Sequence, residues 1–379
     1  MAIQRISKCI TGDSPGKSIT LNGFRIGPEN AGKKVYLQGA LHSDEQPGIM
    51  ALHHLLPLLF EADKKESLRA EFVVFPMVNP LGMENIEFGM HQGRYDVPSG
   101  INFNRGWPDL FAAVEHDIEN RLGESEEENK TLIHNTILNW FDTQTATTAR
   151  DQLRLFVLRE AVTADYIFDL HCDDLALVHI FTAPHCETEM QRLGAWMGAA
   201  AVLTADDSGG GSFDESVPLL WIKAKRKYPL LPIPLPVAAC TLELRGKADV
   251  NHRFGFQDAH GLFGYFHSRG LINDEPVGTP GEAVPPKPLT ATEILRVTRA
   301  GLLAYRVELG ETVEKGQAIA DLIDLEGEGA FIDKTPVTAG TDGLVISLNS
   351  SKYVWPGCSI AKIVGDTPLK SRGDYLLED

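Results

Sequence analysis

The segment GALHSDEQPG separates His42 from Glu45 by two residues at the end of an apolar run. A tight turn at that spacing can present an imidazole and a carboxylate to one metal ion. Taken alone the pair has a plainer reading, a glutamate at a helix start interacting with the helix dipole. YIFDLHCDD puts His171 just past the carboxyl end of a short apolar strand, the edge where ligand sites lie in open α/β sheets. Alone it also reads as a satisfied histidine at a strand end. Together His42, Glu45 and His171 supply two imidazoles and one carboxylate, a catalytic zinc set with the fourth position open for water. Asp169 lies two residues before His171, on the same face if the strand continues. It is a candidate partner for a ligand imidazole, or a buried structural acid.

Three further groups bear chemistry. A long segment, NPLGMENIEFGMHQGRYDVPSGINFNRGWP, offers Arg94 and, ten residues later, the pair Asn104 and Arg105. A guanidinium beside an amide suits bidentate capture of a carboxylate, although arginines in a surface loop would look the same. In TLELRG, Glu243 interrupts an apolar strand, where a carboxylate must be paired, exposed to a cleft or functional. Arg245 is its simplest salt-bridge partner. Asp173 and Asp174 follow His171 on the loop expected to border the pocket. If they face inward they bind substrate, repel a second carboxylate and favour a positively charged group. Otherwise one Asp orients a zinc ligand and the other faces solvent.

These residues need a scaffold. Val35–Ala40, Phe72–Val78, Tyr166–Leu170 and Val237–Leu244 read as buried strands, the second stopped by Asn79-Pro80. The segment after Gln46 reads as a helix, with Ile49, Leu52, Leu55, Leu56 and Leu59 at helical spacing. From Asp109 to about Ala164 the pattern is helical, interrupted by the acidic run Glu124–Glu128, a solvated loop or helix end. Strand, helix, strand in this order predicts an α/β sheet with crossover helices. The glycine-rich loop Asp206–Ser212 is a surface connection or a lid, and Pro229–Pro236 is extended. Glu275–Thr290, rich in Pro and Gly, marks the passage to short strands with Gly-containing turns. The expected division is residues 1–285, a catalytic domain, and 286–379, an all-β domain.

In this order the segments resemble the succinylglutamate desuccinylase/aspartoacylase family of zinc carboxypeptidase-like hydrolases, over roughly residues 30–250. The resemblance implies a mixed-sheet α/β catalytic domain in which His42, Glu45 and His171 bind one zinc ion. It also implies that Arg94 polarises the scissile carbonyl, that Asn104 and Arg105 hold the substrate carboxylate, and that Glu243 is the general base and acid serving a zinc-bound water. The expected reaction is deacylation of a small N-acyl amino acid or related amide; the alternative is a carboxypeptidase acting on short peptides. Two segments depart from the pattern. Asn102 stands where relatives carry an acid, and Cys172, Asp173 and Asp174 follow His171 where relatives carry small or hydroxyl residues. The tail resembles the barrel-sandwich domain of biotinyl and lipoyl carriers. Its Asp333-Lys334 stands against the next strand, not at the hairpin tip where a cofactor is attached, so the tail reads as structural or oligomerising.

Bulk properties agree. The formal net charge of −17 argues against a nucleic-acid partner, which requires a basic surface. Five scattered cysteines without a C-x-x-C pair form no disulfide framework. The start lacks a signal-peptide apolar region, and no apolar run approaches the roughly 20 residues of a membrane helix. The expectation is a cytoplasmic enzyme of a small carboxylate-bearing substrate, with no membrane partner and a possible homo-oligomer.

Overall fold

Four apolar runs form the parallel middle of a large mixed sheet: β3 (Lys34–Gly39), β4 (Glu71–Phe75), β5 (Tyr166–Asp173) and β8 (Ala238–Gly246). Around them lie β1 (Gln4–Thr11), β2 (Ser18–Ile26), β6 (His179–Thr182), β7 (Ala201–Thr204) and β9 (Pro286–Pro288). The order is β1-β2-β4-β3-β5-β8-β6-β7-β9. The computed structural model describes residues 3–29, 31–275, 277–373 and 375–377, so Pro276 of the expected linker and the extreme termini lie outside the described residues.

The middle strands are buried on both faces, which is why they read as continuous apolar runs. On one face Leu37, Val74, Phe168, Leu170 and Leu242 pack against α1 (Pro47–Lys64), α6 (Glu187–Met197) and α8 (His252–Ser268). On the other, Tyr36, Phe75, Ile167 and Ala239 meet α3 (Leu110–Ile118), α4 (Glu126–Thr143), α5 (Ala149–Ala161) and α7 (Phe213–Lys227). The sheet is thus a layer between two helical layers, the mixed α/β arrangement expected.

Several boundaries differ from expectation. β4 stops at Phe75, because Pro76 has no N–H to give to the ladder, and the one-turn helix α2 (Pro80–Met83) follows. β5 runs three residues past Leu170, so His171 sits inside the strand rather than beyond it. The acidic run is a helix end: Glu126, Glu127 and Glu128 form the first turn of α4, and Ser125 accepts from the Glu128 N–H. Carboxylates there oppose the positive end of the helix dipole. Pro286–Pro288, expected in the linker, pairs in parallel with β7.

Two short hairpins, Ile86–Glu87 with Met90–His91 and Tyr95–Asp96 with Ile101–Asn102, lie apart from this sheet, and the other strands form two sheets of five and four strands around Val313, Ile319, Val345 and Ile360. Among the described residues neither of these closes on itself. Leu175–Ala176, just after β5, joins the larger one by pairing with Leu348 and Ser347, which brings these sheets to the edge of the predicted site.

Two non-glycine residues with left-handed backbone flank that site. Ala40, at φ 58°, turns the chain out of β3, and Arg245, at φ 64°, lies where the register of β8 against β5 shifts between Glu243 and Gly246. Such conformations cost on the order of 1–3 kcal/mol and need support from their surroundings. Arg245 is held by α8: its Nη1 donates to both Asp258 oxygens at 3.0 and 3.3 Å, and its guanidinium lies 4.3 Å from the Phe254 ring centroid. Its partner is therefore Asp258, not Glu243 as the sequence suggested. Removing one member of a buried pair strands the other, so Asp258→Ala is expected to lose roughly 3–5 kcal/mol of stability. Denaturant unfolding measures it, and a change under 1 kcal/mol would show that Asp258 is not what holds Arg245.

Candidate active site

Register places the chemistry at the carboxyl ends of β3, β5 and β8. Gln38 lies opposite Asp169, Asp169 opposite Thr241, and Glu243 opposite His171. Paired residues of parallel strands share a face, so Gln38, Asp169 and Thr241 form one row and His171 and Glu243 the next. His42 enters from the turn after β3, where the Glu45 N–H donates to the His42 carbonyl at 3.0 Å. This is the tight turn that the spacing predicted. Pro47 then begins α1.

The three candidate ligands converge, each only 3% exposed. His42 Nδ1 lies 3.0 Å from Glu45 Oε1, and His171 Nδ1 lies 2.7 Å from Glu45 Oε2. The outer nitrogens are occupied. His42 Nε2 is 2.7 Å from Asn102 Oδ1, which also accepts the Asn104 N–H at 2.8 Å, so that atom is the amide oxygen and His42 Nε2 is the donor. His171 Nε2 lies 3.0 Å from Asp169 Oδ2, whose other oxygen accepts from Gln38 Nε2 at 2.9 Å; Gln38 Oε1 in turn accepts from Tyr36 at 2.8 Å. Burial and the Arg94 charge lower His42 to about 4. It is therefore neutral, with the Nδ1 lone pair directed at a carboxylate oxygen.

Two acceptors 3.0 Å apart repel unless a cation lies against both. Arg94 Nη1 meets that need, at 2.8 Å from Glu45 Oε1 and 3.2 Å from His42 Nδ1. A divalent ion on the same donor atoms would meet it more fully, so the residues fit a metal with His, Glu and His ligands. Burial raises Glu45, but His42 and His171 outweigh it and hold the carboxyl well below its usual range. Burial likewise pulls His171 down, and the Asp169 and Glu45 carboxylates raise it well above an ordinary imidazole.

Glu243, Arg94, Asn104, Arg105 and Asp173 line one cavity with the three ligands, with space for about 100 Å³ of solvent. Glu243 Oε2 is buried and, among the described residues, has no hydrogen-bond partner. Burial first, then the Glu45 charge, push this carboxyl up to about 8. Asn104 Oδ1 accepts the Phe213 N–H at the start of α7 (2.7 Å), and Arg105 Nη1 donates to the Asn104 carbonyl at 2.7 Å. The acidic pair after His171 is not arranged as expected. Asp173 borders the cavity, but its Oδ2 accepts from Lys362 at 2.5 Å, and Asp174 lines a neighbouring cavity instead. The ground for a positively charged substrate is thereby removed. The Asp206–Ser212 loop does border the site, through Ser208 and Ser212, and is tied to the Arg105 segment by Gly106 N–H to Gly210 O (2.9 Å) and Trp107 N–H to Gly211 O (3.0 Å).

The succinylglutamate desuccinylase/aspartoacylase catalytic domain, as a family model, matches residues 31–221. The chain belongs to that family. Its members are hydrolases, and the match covers the H-x-x-E turn, Arg94, Asn104, Arg105 and His171. Among solved structures, a candidate succinylglutamate desuccinylase/aspartoacylase from Shewanella frigidimarina NCIMB 400 superposes with TM-score 0.84 at 21% identity, covering 96% of this chain and 97% of the other. A candidate family member from Shewanella amazonensis SB2B gives 0.82 at 21%, covering 95% and 98%. The product-bound ectoine utilization protein from Ruegeria pomeroyi gives 0.67 at 17%, covering 96% and 95%. At such identities the likeness establishes the fold. A search of curated proteins finds no match.

Within this desuccinylase/aspartoacylase site, sequence reasoning passed over Gln38, Lys362 and the acids of α7. Gln38 left a signal, a polar residue inside the apolar run VYLQGA, the same kind of signal that exposed Glu243. Asp214 is raised by burial, and Glu215 is raised to about 7 by burial and by Asp214. Both line the cavity, and in sequence they look like ordinary helix-start acids.

Proposed function

We propose that this chain is a zinc-dependent amidohydrolase that deacylates a small N-acyl amino acid or related amide. The observation that carries the reading is the unpaired, buried Glu243 oxygen in the same narrow cavity as the His42, Glu45 and His171 donor atoms. A bound zinc ion would supply Lewis-acid polarisation and acidify a water molecule there. Glu243, with its free oxygen, takes the proton from the attacking water and returns it to the leaving amine. Arg94 offers N–H donors to the carbonyl oxygen as negative charge develops on it. Arg105, positioned by its bond to the Asn104 carbonyl, faces the substrate carboxylate and fixes which amide is presented.

Lys362 neutralises Asp173, so the cavity's basic groups Arg94 and Arg105 favour a carboxylate-bearing substrate. We place small amides ahead of the short peptides of a carboxypeptidase because the Asp206–Ser212 loop, tied to the Arg105 segment by two backbone hydrogen bonds, borders the cavity. A deacylation screen of the zinc-loaded protein with N-acetyl, N-succinyl and N-formyl amino acids, beside dipeptides, tests this. Turnover confined to dipeptides would reverse the order of the two readings, and no turnover of any amide would remove both.

Asn102 fixes the His42 tautomer, so Asn102→Ala is expected to weaken zinc binding about 10–100-fold. Competition against a chromophoric chelator measures it, and unchanged affinity would mean that Asn102 does not orient the ligand. We also read residues 286–379 as a barrel-sandwich domain without an attached cofactor. Lys334 lies in an ion pair with Asp321 at 2.8 Å, and the intact mass is expected to equal that of the bare sequence. A biotin- or lipoyl-sized increment on Lys334 would overturn that reading.

A further inference from the structure

On the face of the sheet away from Glu243, α1 and α8 pack together and bring three histidines to one point of the surface. Consecutive helical residues His53 and His54 come from α1, and His252 is the first residue of α8. His54 Nε2 lies 3.1 Å from His252 Nδ1. The ring centroids are 5.1 Å apart for His53 and His54 and 5.3 Å for His54 and His252. One donor nitrogen from each of the three lies within 4.8 Å of the others. The approach is built into the helix contact at Gly255, where a Cβ would stand 2.8 Å from the Met50 carbonyl oxygen and 2.9 Å from His54 Cδ2. Any larger residue there would force α8, and His252 with it, away from α1.

We propose that His53, His54 and His252 form a second metal site, on the surface, for a borderline divalent transition ion such as Zn²⁺ or Ni²⁺. Imidazole is the ligand type that such ions share. Nitrogens bound at about 2.0–2.1 Å in tetrahedral geometry stand roughly 3.3 Å apart. The His54–His252 pair is already at that separation, and His53, exposed on the surface, reaches it by a side-chain rotation. Water completes the coordination. The bound ion links the helix that follows the His42–Glu45 turn to the helix that follows the Glu243 strand. It thereby stabilises the native state by mass action without entering the cavity.

The test uses the full chain, produced without an affinity tag and stripped with a chelator, titrated with Zn²⁺ by calorimetry at neutral pH. Wild type is expected to bind one equivalent more than either His54→Gln or His252→Gln, and the melting temperature of His42→Ala is expected to rise with Zn²⁺. That rise is expected to vanish in the His42→Ala, His252→Gln double variant. Equal stoichiometry in wild type and both surface variants, or a thermal shift that survives in the double variant, would overturn the proposal. An equivalent lost in His252→Gln but not in His42→Ala would uphold it while removing the reading of the cavity as a zinc site.

Discussion

Glu243→Gln is expected to keep its fold and its metal and to lose turnover by about 10²–10⁴, the usual contribution of a positioned general base. The substitution preserves shape and burial and leaves His42, Glu45 and His171 untouched, so metal content separates loss of chemistry from loss of the site. The side chain is suited to proton transfer because Oε2 is buried and, among the described residues, has no hydrogen-bond partner. Burial and the Glu45 charge hold the carboxyl up, at about 8 without a cation. A divalent ion on Glu45 offsets that charge and brings the value down. The base form is the carboxylate, so kcat/KM should rise with pH through a value below 8, and this limb should be absent from the Gln variant. A variant that kept more than a tenth of wild-type turnover on a good substrate would show that another group carries the proton.

The parts of the site legible in the sequence are those that break a local pattern. Glu243 and His171 interrupt apolar strands, and the H-x-x-E turn ends one. Period-two alternation then assigns His171 and Asp169 to a common face, as observed. Parallel register was not legible. Opposing Glu243 to His171 and Asp169 to Gln38 depends on which strands neighbour each other, and β8 lies beside β5 although three strands, Leu175–Ala176, β6 and β7, intervene in the chain. What balances the charge of Asp173 was hidden for a related reason. Its charge balance comes from Lys362, 189 residues away, on a strand whose only local signal is a lysine between apolar residues. Asn102 shows a further limit. It departs from the family's acid and the sequence alone assigns it no role, yet its amide oxygen accepts from His42 as a carboxylate would. Arg245 misled because a bulge reverses which side of β8 it occupies, and strand parity fails at bulges.

His171→Ala is expected to abolish metal binding in the cavity and turnover together and, unlike His42→Ala, to destabilise the metal-free protein strongly. The difference lies in what each histidine leaves behind. Without His42, Glu45 still has Arg94 at 2.8 Å and His171 at 2.7 Å. Without His171, one Glu45 oxygen retains only the Cys172 N–H at 3.2 Å. Asp169, fully buried, then retains only the Gln38 amide. In the metal-free protein His171 is the positive member of this group, raised by the very carboxylates it serves. Removing it strands buried negative charge, a change worth roughly 3–5 kcal/mol, whereas His42 is neutral and its loss leaves no charge unpaired. Zinc titration of both variants after stripping, in a His252→Gln background that lacks the surface site, and denaturant unfolding of the metal-free proteins measure the two effects separately. Retention of a full equivalent in the cavity by His171→Ala would exclude it as a ligand. Equal apo stabilities for the two variants would mean that the Asp169–His171–Glu45 line is not charged in the resting protein.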